Sequence, residues 1–447
     1  MAENNQSSFS YHKRKAAPQN RHLLKILVFP CGSEISMEIH NALKWSTHFE
    51  LIGVSSVVSN HGKYVYKNYF DGFPFIEDDA FISILNTFVV EKKIDLIFPA
   101  HDSVVLKLSE NRQNIHCKII GSPYKTCSIC RSKLKTYNFF KNLLNVPEVY
   151  TLDSYNIHYP VFMKPNVGQG SRGVVIARNE KEVFFHHNQD PSLLILEFLP
   201  GSEYTVDCFS DRFGSLRFIG ARERMRISNG ISVNTKPIHD KKINEIAAII
   251  NKTLKFRGAW FFQLKKNKKD EYTLLEIGPR ISGSMGLYRN LGINFPLLSV
   301  FDQLGNDVVL NPQDFFIEMD RALFNRFNIN LNYKHVYIDF DDTIILDGKI
   351  NTLIIYFLYQ CINRNIKIHL ISKHKNNLDA KLKKFRIKNI FDTIMELVED
   401  DEKSNYITEK SSIFIDDSYS ERQKVSKTLG IPVFDTHAVE SLLDWKV

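Results

Sequence analysis

Residues 164–173, KPNVGQGSRG, place a lysine at the end of an apolar strand pattern and follow it with a loop of small residues. The small residues of the loop are Gly168, Gly170, Ser171 and Gly173. Glycines let backbone N–H groups approach phosphate oxygens, and Lys164 adds a positive charge at the same place. The stretch therefore indicates a polyphosphate-binding loop, although a glycine- and serine-rich hairpin without a ligand would have the same sequence.

Five further polar residues lie on or after the strand patterns that follow this loop. Glu197 closes an apolar strand and suits the backbone hinge beside an adenine, while Glu203 suits ribose hydroxyls; both could also be surface acids around a Pro-Gly turn. Gln263 and Glu276 lie on neighbouring strand patterns and offer the oxygen ligands that Mg²⁺ prefers. Arg280 follows directly and can stabilise charge on a phosphoryl group in transfer.

The order of these motifs resembles that of the ATP-grasp carboxylate–amine ligases, especially carbamoyl phosphate synthetase large subunits, over residues 24–327. The resemblance implies two nucleotide-binding lysines, a phosphate-covering loop, an adenine-hinge acid, a ribose acid, two metal ligands and a catalytic arginine. The lysines are Lys133 and Lys164, and the loop is residues 168–173. The adenine-hinge acid is Glu197 and the ribose acid is Glu203. The metal ligands are Gln263 and Glu276, and the catalytic arginine is Arg280.

The resemblance also implies the chemistry. ATP phosphorylates a small-molecule carboxylate to an acyl phosphate, and an amine then displaces phosphate, with Mg²⁺ (or Mn²⁺) as the metal ion. One residue departs from the family's E-x-N-P-R pattern: Gly278 stands where an asparagine ligand is usual. Two alternatives to ligation remain open, namely a small-molecule kinase and a nucleotide-binding regulatory protein without turnover.

Other residues of this region are candidates for substrate binding. Arg222 and Arg224 lie where such ligases hold the carboxylate, and arginine suits bidentate carboxylate recognition; an exposed charged strand would look the same. Asp102 follows the strand pattern IDLIFP at residues 94–99, so it is a site candidate or a helix N-cap.

A second constellation begins at Asp339 and Asp341, which end an apolar strand pattern with one residue between them. Ser372 ends a second such strand, and Asp416 and Asp417 end a third. The carboxyl ends of parallel strands meet at one edge of a sheet, so these side chains should converge there. Paired carboxylates can supply a nucleophile and a general acid, and they attract Mg²⁺.

These residues resemble the haloacid dehalogenase-like phosphatases over residues 333–447. The resemblance implies that Asp339 is the nucleophile, Asp341 the general acid and base, and Thr343 a supporting hydroxyl. It assigns phosphoryl binding to Ser372 and Lys403, with Lys410 as the alternate lysine. It assigns metal binding to Asp339, Asp341, Asp416 and Asp417. The stretches between these motifs are too short for a cap domain, so an open site for a phosphorylated substrate is expected.

Alternating strand and helix patterns predict an α/β fold in several parts. We expect a disordered tail at residues 1–22, an open parallel sheet preceding the ATP-grasp domain at 23–125, an α+β ATP-grasp domain at 126–327, and a Rossmann-like phosphatase domain at 333–447. The chain of 447 residues is long enough for two to four domains.

Composition excludes several classes of protein. The net charge of +8 is spread along the chain without a basic stripe, so we expect no nucleic-acid partner. No apolar run is long enough for a membrane helix, and the six cysteines are sparse, which favours a reducing, cytoplasmic location. Cys127 and Cys130 form a lone C-x-x-C without a second ligand pair for zinc. A homodimer remains open.

Overall fold

The computed structural model describes residues 23–168, 170, 173–327, 329–374 and 377–446. The chain divides into two compact units, Met1–Ala322 and Leu323–Lys446. The tail predicted for residues 1–22 lies outside the described residues. Among the described helices, none has the length and apolar character that crossing a bilayer requires.

The first unit begins with a five-stranded parallel sheet in the order β3-β2-β1-β4-β5, as predicted. Its strands are β1 (Leu24–Phe29), β2 (Phe49–Val54), β3 (Asn68–Phe70), β4 (Leu96–Pro99) and β5 (Lys118–Ile119), with helices α1 (Glu34–Leu43), α2 (Phe81–Lys92) and α3 (Asp102–Glu110) and 3₁₀ helices at His61–Tyr64 and Arg112–Asn114. Ile26 and Val28 of β1 pack into one hydrophobic cluster, and Leu27 and Phe29 pack into another. Burial on both faces explains the unbroken apolar run.

A four-stranded antiparallel sheet in the order β6-β9-β7-β8 follows. The elements are α4 (Tyr124–Arg131), α5 (Lys133–Phe140), β6 (Val149–Tyr150), β7 (Val161–Pro165), β8 (Val175–Ala177), α6 (Glu180–Gln189) and β9 (Leu193–Glu197). Ser132 caps α5 through the backbone N–H of Lys135 and donates from its hydroxyl to the side chain of Asn166 at 2.9 Å. The start of α5, with Lys133, is therefore held beside the end of β7.

The largest sheet is antiparallel and has six strands in the order β14-β13-β10-β11-β12-β15. Its elements are β10 (Glu203–Ser210), β11 (Leu216–Ser228), β12 (Ile231–Ile238), α7 (Lys241–Thr253), β13 (Gly258–Lys266), β14 (Tyr272–Gly278), α8 (Gly286–Arg289), α9 (Phe295–Leu304) and β15 (Met319–Asp320). The register of β13 and β14 sets Gln263 opposite Glu276 and Phe261 opposite Gly278.

One hydrophobic cluster joins the parallel sheet to the six-stranded sheet. It includes Val28 and Phe98 from the former, with Phe209 and Phe261 from the latter. Because of this shared core, residues 23–125 and 126–322 lie in one compact unit, although we expected separate domains at 23–125 and 126–327; residues 323–327 belong to the second unit.

The second unit contains a five-stranded parallel sheet in the order β20-β19-β16-β21-β22. Its elements are β16 (His335–Ile338), β17 (Ile345–Leu346), β18 (Lys349–Ile350), α10 (Thr352–Asn363), β19 (Lys367–Ser372), α11 (Leu378–Lys384), β20 (Thr393–Glu396), β21 (Ser412–Ile415), α12 (Tyr419–Leu429) and β22 (Val433–Phe434), with 3₁₀ helices at Lys388–Ile390, Lys403–Tyr406 and Thr436–Leu442. Among the described residues, the connections between the strands of this sheet contain helices, 3₁₀ helices and the β17–β18 hairpin, and no additional domain.

Candidate functional site

A cavity of about 430 Å³ lies in the first unit, where the carboxyl ends of β1 and β4 meet the face of β13 and β14. Its charged lining residues are Glu34, Asp102, Arg131, Lys133, Arg222, Arg224, Glu276, Arg280 and Arg321. Open α/β sheets bind ligands at the carboxyl ends of their strands, and a pocket with convergent polar groups is the usual place for a small-molecule site.

Gln263 and Glu276 lie directly opposite each other on β13 and β14, and both line the cavity. Side chains of a directly opposed pair point to the same face of a sheet. An amide oxygen and a carboxylate are thus presented side by side, as a magnesium site requires. The amide of Gln263 is oriented by Arg224, whose Nη1 donates to Gln263 Oε1 at 3.1 Å.

A smaller cavity of about 120 Å³ adjoins the first, and Lys164 on β7 lines it. Both cavities are lined by Lys133, Gly168, Gly170, Arg224, Gly230, Gln263 and Glu276. Lys164 is only 8% exposed, and burial lowers its pKa to about 8 against the opposing effect of Glu276. Burial also lowers the pKa of Lys133. The two predicted nucleotide lysines therefore converge with the two predicted metal ligands.

The glycine loop borders both cavities. Lys133 Nζ donates to the carbonyl oxygen of Gly168 at 3.5 Å. Gly170 and Gly173 have φ angles of +65° and +70°, a backbone conformation that favours glycine. Ser171, predicted as part of this loop, lies outside the described residues.

The two arginines predicted to hold a substrate are paired with acids of the chain. Arg222 is 1% exposed and donates to Asp207 Oδ2 at 2.7 Å and to Ser282 Oγ at 3.2 Å. Arg224 forms an ion pair with Glu203, the acid that the resemblance assigned to a ribose. Buried charges require such partners. A bound anion would therefore share these guanidinium groups with Asp207 and Glu203.

Glu197, predicted to lie beside an adenine, ends β9 opposite Val161. Its Oε2 accepts a hydrogen bond of 3.4 Å from the backbone N–H of Glu148. It does not line either of the two cavities, as far as the described residues define them. The carboxylate of Glu197 thus supports the local chain through Glu148.

Arg280 is held by a bidentate ion pair with Asp102, in which Nε and Nη2 lie 2.6 and 2.7 Å from the two carboxylate oxygens. Burial acts to raise the pKa of Asp102, but Arg280 outweighs burial and the pKa lies below its usual range. The side chain of His101 caps α3, so the interpretation of Asp102 as the N-cap is wrong. Asp102 instead orients Arg280 in the cavity wall.

The second unit gathers its acids at the carboxyl ends of β16 and β21. Carboxylate oxygens of Asp339, Asp416 and Asp417 lie within 4.8 Å of one another. Lys403 Nζ lies 2.6 Å from both Asp339 and Asp416, while Lys410 is exposed. Burial raises the pKa of Asp339 although Lys403 acts to lower it. Three close carboxylates, two of which pair with Lys403, form a site that fits a divalent cation by its donor chemistry.

Two other predicted residues border this group. Asp341, which we expected to share the metal, is not a member of the acidic group, and its Oδ2 lies 2.6 Å from His374 Nδ1. Thr343 Oγ1 accepts a hydrogen bond of 3.0 Å from the backbone N–H of Asp417. Ser372 Oγ is buried at the end of β19, and no described group forms a hydrogen bond with it. A buried hydroxyl in that condition is available to a ligand.

Asp207, Phe261 and His374 are among the residues of these sites that were not predicted from the sequence. Asp207 could have been found, because an acid between the apolar residues Val206 and Cys208 of a strand is a signal of a paired buried charge. Phe261 and His374 carry no such signal, since their roles depend on which side chains face them.

Comparison with known proteins identifies relatives of this chain. Residues 189–321 match the family described as "ATP-grasp in the biosynthetic pathway with Ter operon". The chain is 23% identical over 271 residues to the carbamoyl phosphate synthase large chain of Pyrococcus furiosus, and 26% identical over 186 residues to the D-alanine–D-alanine ligase of Petrotoga mobilis. These matches cover 55% and 36% of this chain, but only 25% and 62% of the respective relatives.

A solved structure shares the fold. The biotin carboxylase domain of Hydrogenobacter thermophilus 2-oxoglutarate carboxylase, in complex with MgADP, ADP and bicarbonate, superposes with a TM-score of 0.53 at 16% identity. The superposition covers 65% of this chain and 71% of that one. Together with the family match, it confirms the predicted ATP-grasp fold.

Replacing Asp102 by Asn should destabilise the first unit by about 3 kcal/mol, because Arg280 would stay buried without its opposing charge. Urea unfolding of the full chain measures the change. The exposed Asp79 offers a matched control, and Asp79→Asn should shift stability by less than about 0.5 kcal/mol. Equal stability of Asp102→Asn and the unaltered chain would contradict the ion pair.

Proposed function

We propose that the first unit is an ATP-dependent ligase that joins a small-molecule carboxylate to an amine, with Mg²⁺ or Mn²⁺ as its metal ion. The convergence of Lys133, Lys164, Gln263 and Glu276 on two adjoining cavities carries this proposal. Two cations and two oxygen ligands complement a nucleotide polyphosphate and its metal. The similarity to a carbamoyl phosphate synthase and to a D-alanine–D-alanine ligase supports the ligase class.

Each residue has a role that its chemistry supports. Lys133 and Lys164 bind phosphate oxygens, and Gln263 and Glu276 hold the metal ion, whose remaining ligands are waters and phosphates. When bound, the metal offsets negative charge on the transferring phosphoryl group. Arg280, fixed by its ion pair, stabilises the same charge from the wall of the larger cavity.

The larger cavity provides room for the other two substrates. It extends from Glu276 to Ser33 and His101 at the carboxyl ends of the first sheet. The carboxylate takes the phosphoryl group from ATP, and the amine then displaces phosphate, so no protein nucleophile is needed. A kinase would stop after the first step, and the mass of the product separates the two reactions.

Replacing Glu276 by Gln should lower the rate of ADP release in the presence of Mg²⁺ by at least about 100-fold, because a charged metal ligand is lost. The assay supplies ATP with panels of amines and carboxylic acids. Glu271→Gln changes an exposed glutamate in the turn before β14 and should leave the rate unchanged. ADP release that is equally fast in Glu276→Gln would rule out this metal site, and no ADP release from the unaltered chain with any panel would rule out the ligase.

The affinity for ADP should fall as the pH rises from about 7 to about 9. Lys164 in the free protein has a pKa of about 8, and a polyphosphate binds its charged form, so binding above that pH requires proton uptake. The dissociation constant should increase by up to about tenfold per pH unit above pH 8.

Calorimetry measures this dependence directly. Lys164→Met should bind weakly at every pH and lose the dependence, whereas Lys181→Met, at an exposed position, should keep it. A dependence that persists in Lys164→Met would assign the proton to another group.

We propose a second activity for the second unit, the hydrolysis of a phosphomonoester through an aspartyl phosphate. Asp339 attacks phosphorus and Asp341 protonates the leaving group; water then hydrolyses the intermediate. Lys403 and the buried hydroxyl of Ser372 hold phosphoryl oxygens. Asp339, Asp416 and Asp417 fit Mg²⁺ by their three close carboxylates.

Asp339→Asn should abolish hydrolysis of para-nitrophenyl phosphate, because an amide is not a nucleophile for phosphorus, while ADP release by the first unit should continue. The exposed Asp400 provides the control, since Asp400→Asn should retain full phosphatase activity. Hydrolysis that survives Asp339→Asn would show that another residue attacks.

A further inference from the structure

The ring of Phe261 occupies the space beside Gly278 that a side chain would need. The two residues form a directly opposed pair on β13 and β14. A Cβ atom at Gly278 would lie 2.3 Å from Cε1 and 2.5 Å from Cζ of the Phe261 ring, far inside van der Waals contact. Phe261 is 5% exposed and packs within the hydrophobic cluster that joins the two sheets, so its ring has little freedom to move aside.

This pair is adjacent to the proposed metal ligands. Side chains two residues apart on a strand point to the same face, so Phe261 and Gly278 share a face with Gln263 and Glu276. All four residues line the larger cavity. A side chain at position 278 would therefore stand next to Glu276, where a further metal ligand could act. In this chain an apolar ring fills that space.

The same ring supports Arg280. The guanidinium carbon of Arg280 lies 5.1 Å from the centroid of the Phe261 ring, within the range of a cation–π interaction. Asp102 holds the edge of the guanidinium group through two hydrogen bonds. Arg280 is thus fixed both by a carboxylate and by an aromatic face.

We propose that Phe261 and Gly278 are a matched pair in which an aromatic ring replaces a metal-ligating side chain and positions Arg280. The inference rests on the proposed ligase function. It makes Phe261 a positioning residue, and it limits the metal ligands that β13 and β14 supply to Gln263 and Glu276. The alternative is that Phe261 only fills the hydrophobic core.

A double-mutant cycle of Phe261→Leu and Arg280→Met separates these readings without an activity assay. Unfolding in urea is followed by tryptophan fluorescence in a Trp445→Phe background, in which Trp45 and Trp260 of the first unit remain. If the ring supports Arg280, the two changes should be coupled by about 3- to 30-fold in the unfolding equilibrium constant. Phe262→Leu makes the same change on the opposite face of β13 and should combine additively with Arg280→Met, within about twofold.

A second experiment, with Mn²⁺ alone as the probe, tests whether the ring of Phe261 takes the place of a metal-ligating side chain at position 278. Electron paramagnetic resonance counts bound Mn²⁺ in an Asp416→Asn, Asp417→Asn background, which removes two carboxylates of the second unit. Gly278→Asn alone should destabilise the first unit, because its side chain collides with the ring. In a Phe261→Ala background the collision is absent, and adding Gly278→Asn should tighten Mn²⁺ binding at least threefold, an effect of about 0.7 kcal/mol.

Additive behaviour of Phe261→Leu with Arg280→Met would overturn the positioning role. Equal Mn²⁺ affinity of Phe261→Ala with and without Gly278→Asn would overturn the replacement of a ligand. The two experiments measure only the stability of the protein and its binding of Mn²⁺. Failure of the unaltered chain to release ADP would therefore count against the ligase and leave this test intact.

Discussion

The ion pair between Asp102 and Arg280 joins the parallel sheet of the first unit to the sheet that carries the proposed metal ligands. Its two hydrogen bonds, of 2.6 and 2.7 Å, fix Arg280 and Asp102 to each other in the wall of the larger cavity. Charge buried in a protein is tolerated only when it is compensated, and the two buried arginines Arg222 and Arg224 follow the same rule. Arg222 is paired with Asp207 and Arg224 with Glu203.

Lys164 differs from these three arginines. It is nearly buried, and within the described part of the chain no acid forms an ion pair with it. Its pKa is lowered because burial disfavours the charged ammonium group. A bound phosphate would relieve it, since the ammonium would gain the opposing charge that the arginines already have. The site is therefore arranged for one additional anion, next to Gln263 and Glu276.

The sequence was informative wherever a local pattern carried the chemistry. The apolar run of β1, the glycines after Lys164, and the acids that end β16 and β21 could all be predicted, because strand ends and flexible loops are local features. Contacts across the fold could not. Asp102 and Arg280 are 178 residues apart, and nothing in either segment specifies the other. Gly278 was recognised as unusual, but the ring that fills its space lies on the neighbouring strand and depends on the strand register.

The second unit shows the same limit. Three strand ends predicted a common site, and the sheet order brings β19, β16 and β21 together. The expectation that Asp341 would share the metal followed from its spacing to Asp339, yet its carboxylate contacts His374 instead. Spacing of two residues guarantees proximity along the chain but leaves the side-chain direction to the turn that follows the strand.

The position of the bound nucleotide tests the proposed ligase site most directly. A crystal structure of the full chain with Mg²⁺ and a non-hydrolysable ATP analogue should show the phosphates between Lys164 and Glu276, with the metal ion on Gln263 and Glu276. A nucleotide bound elsewhere on the chain, or crystals in which these two cavities remain free of nucleotide at saturating concentration, would contradict it.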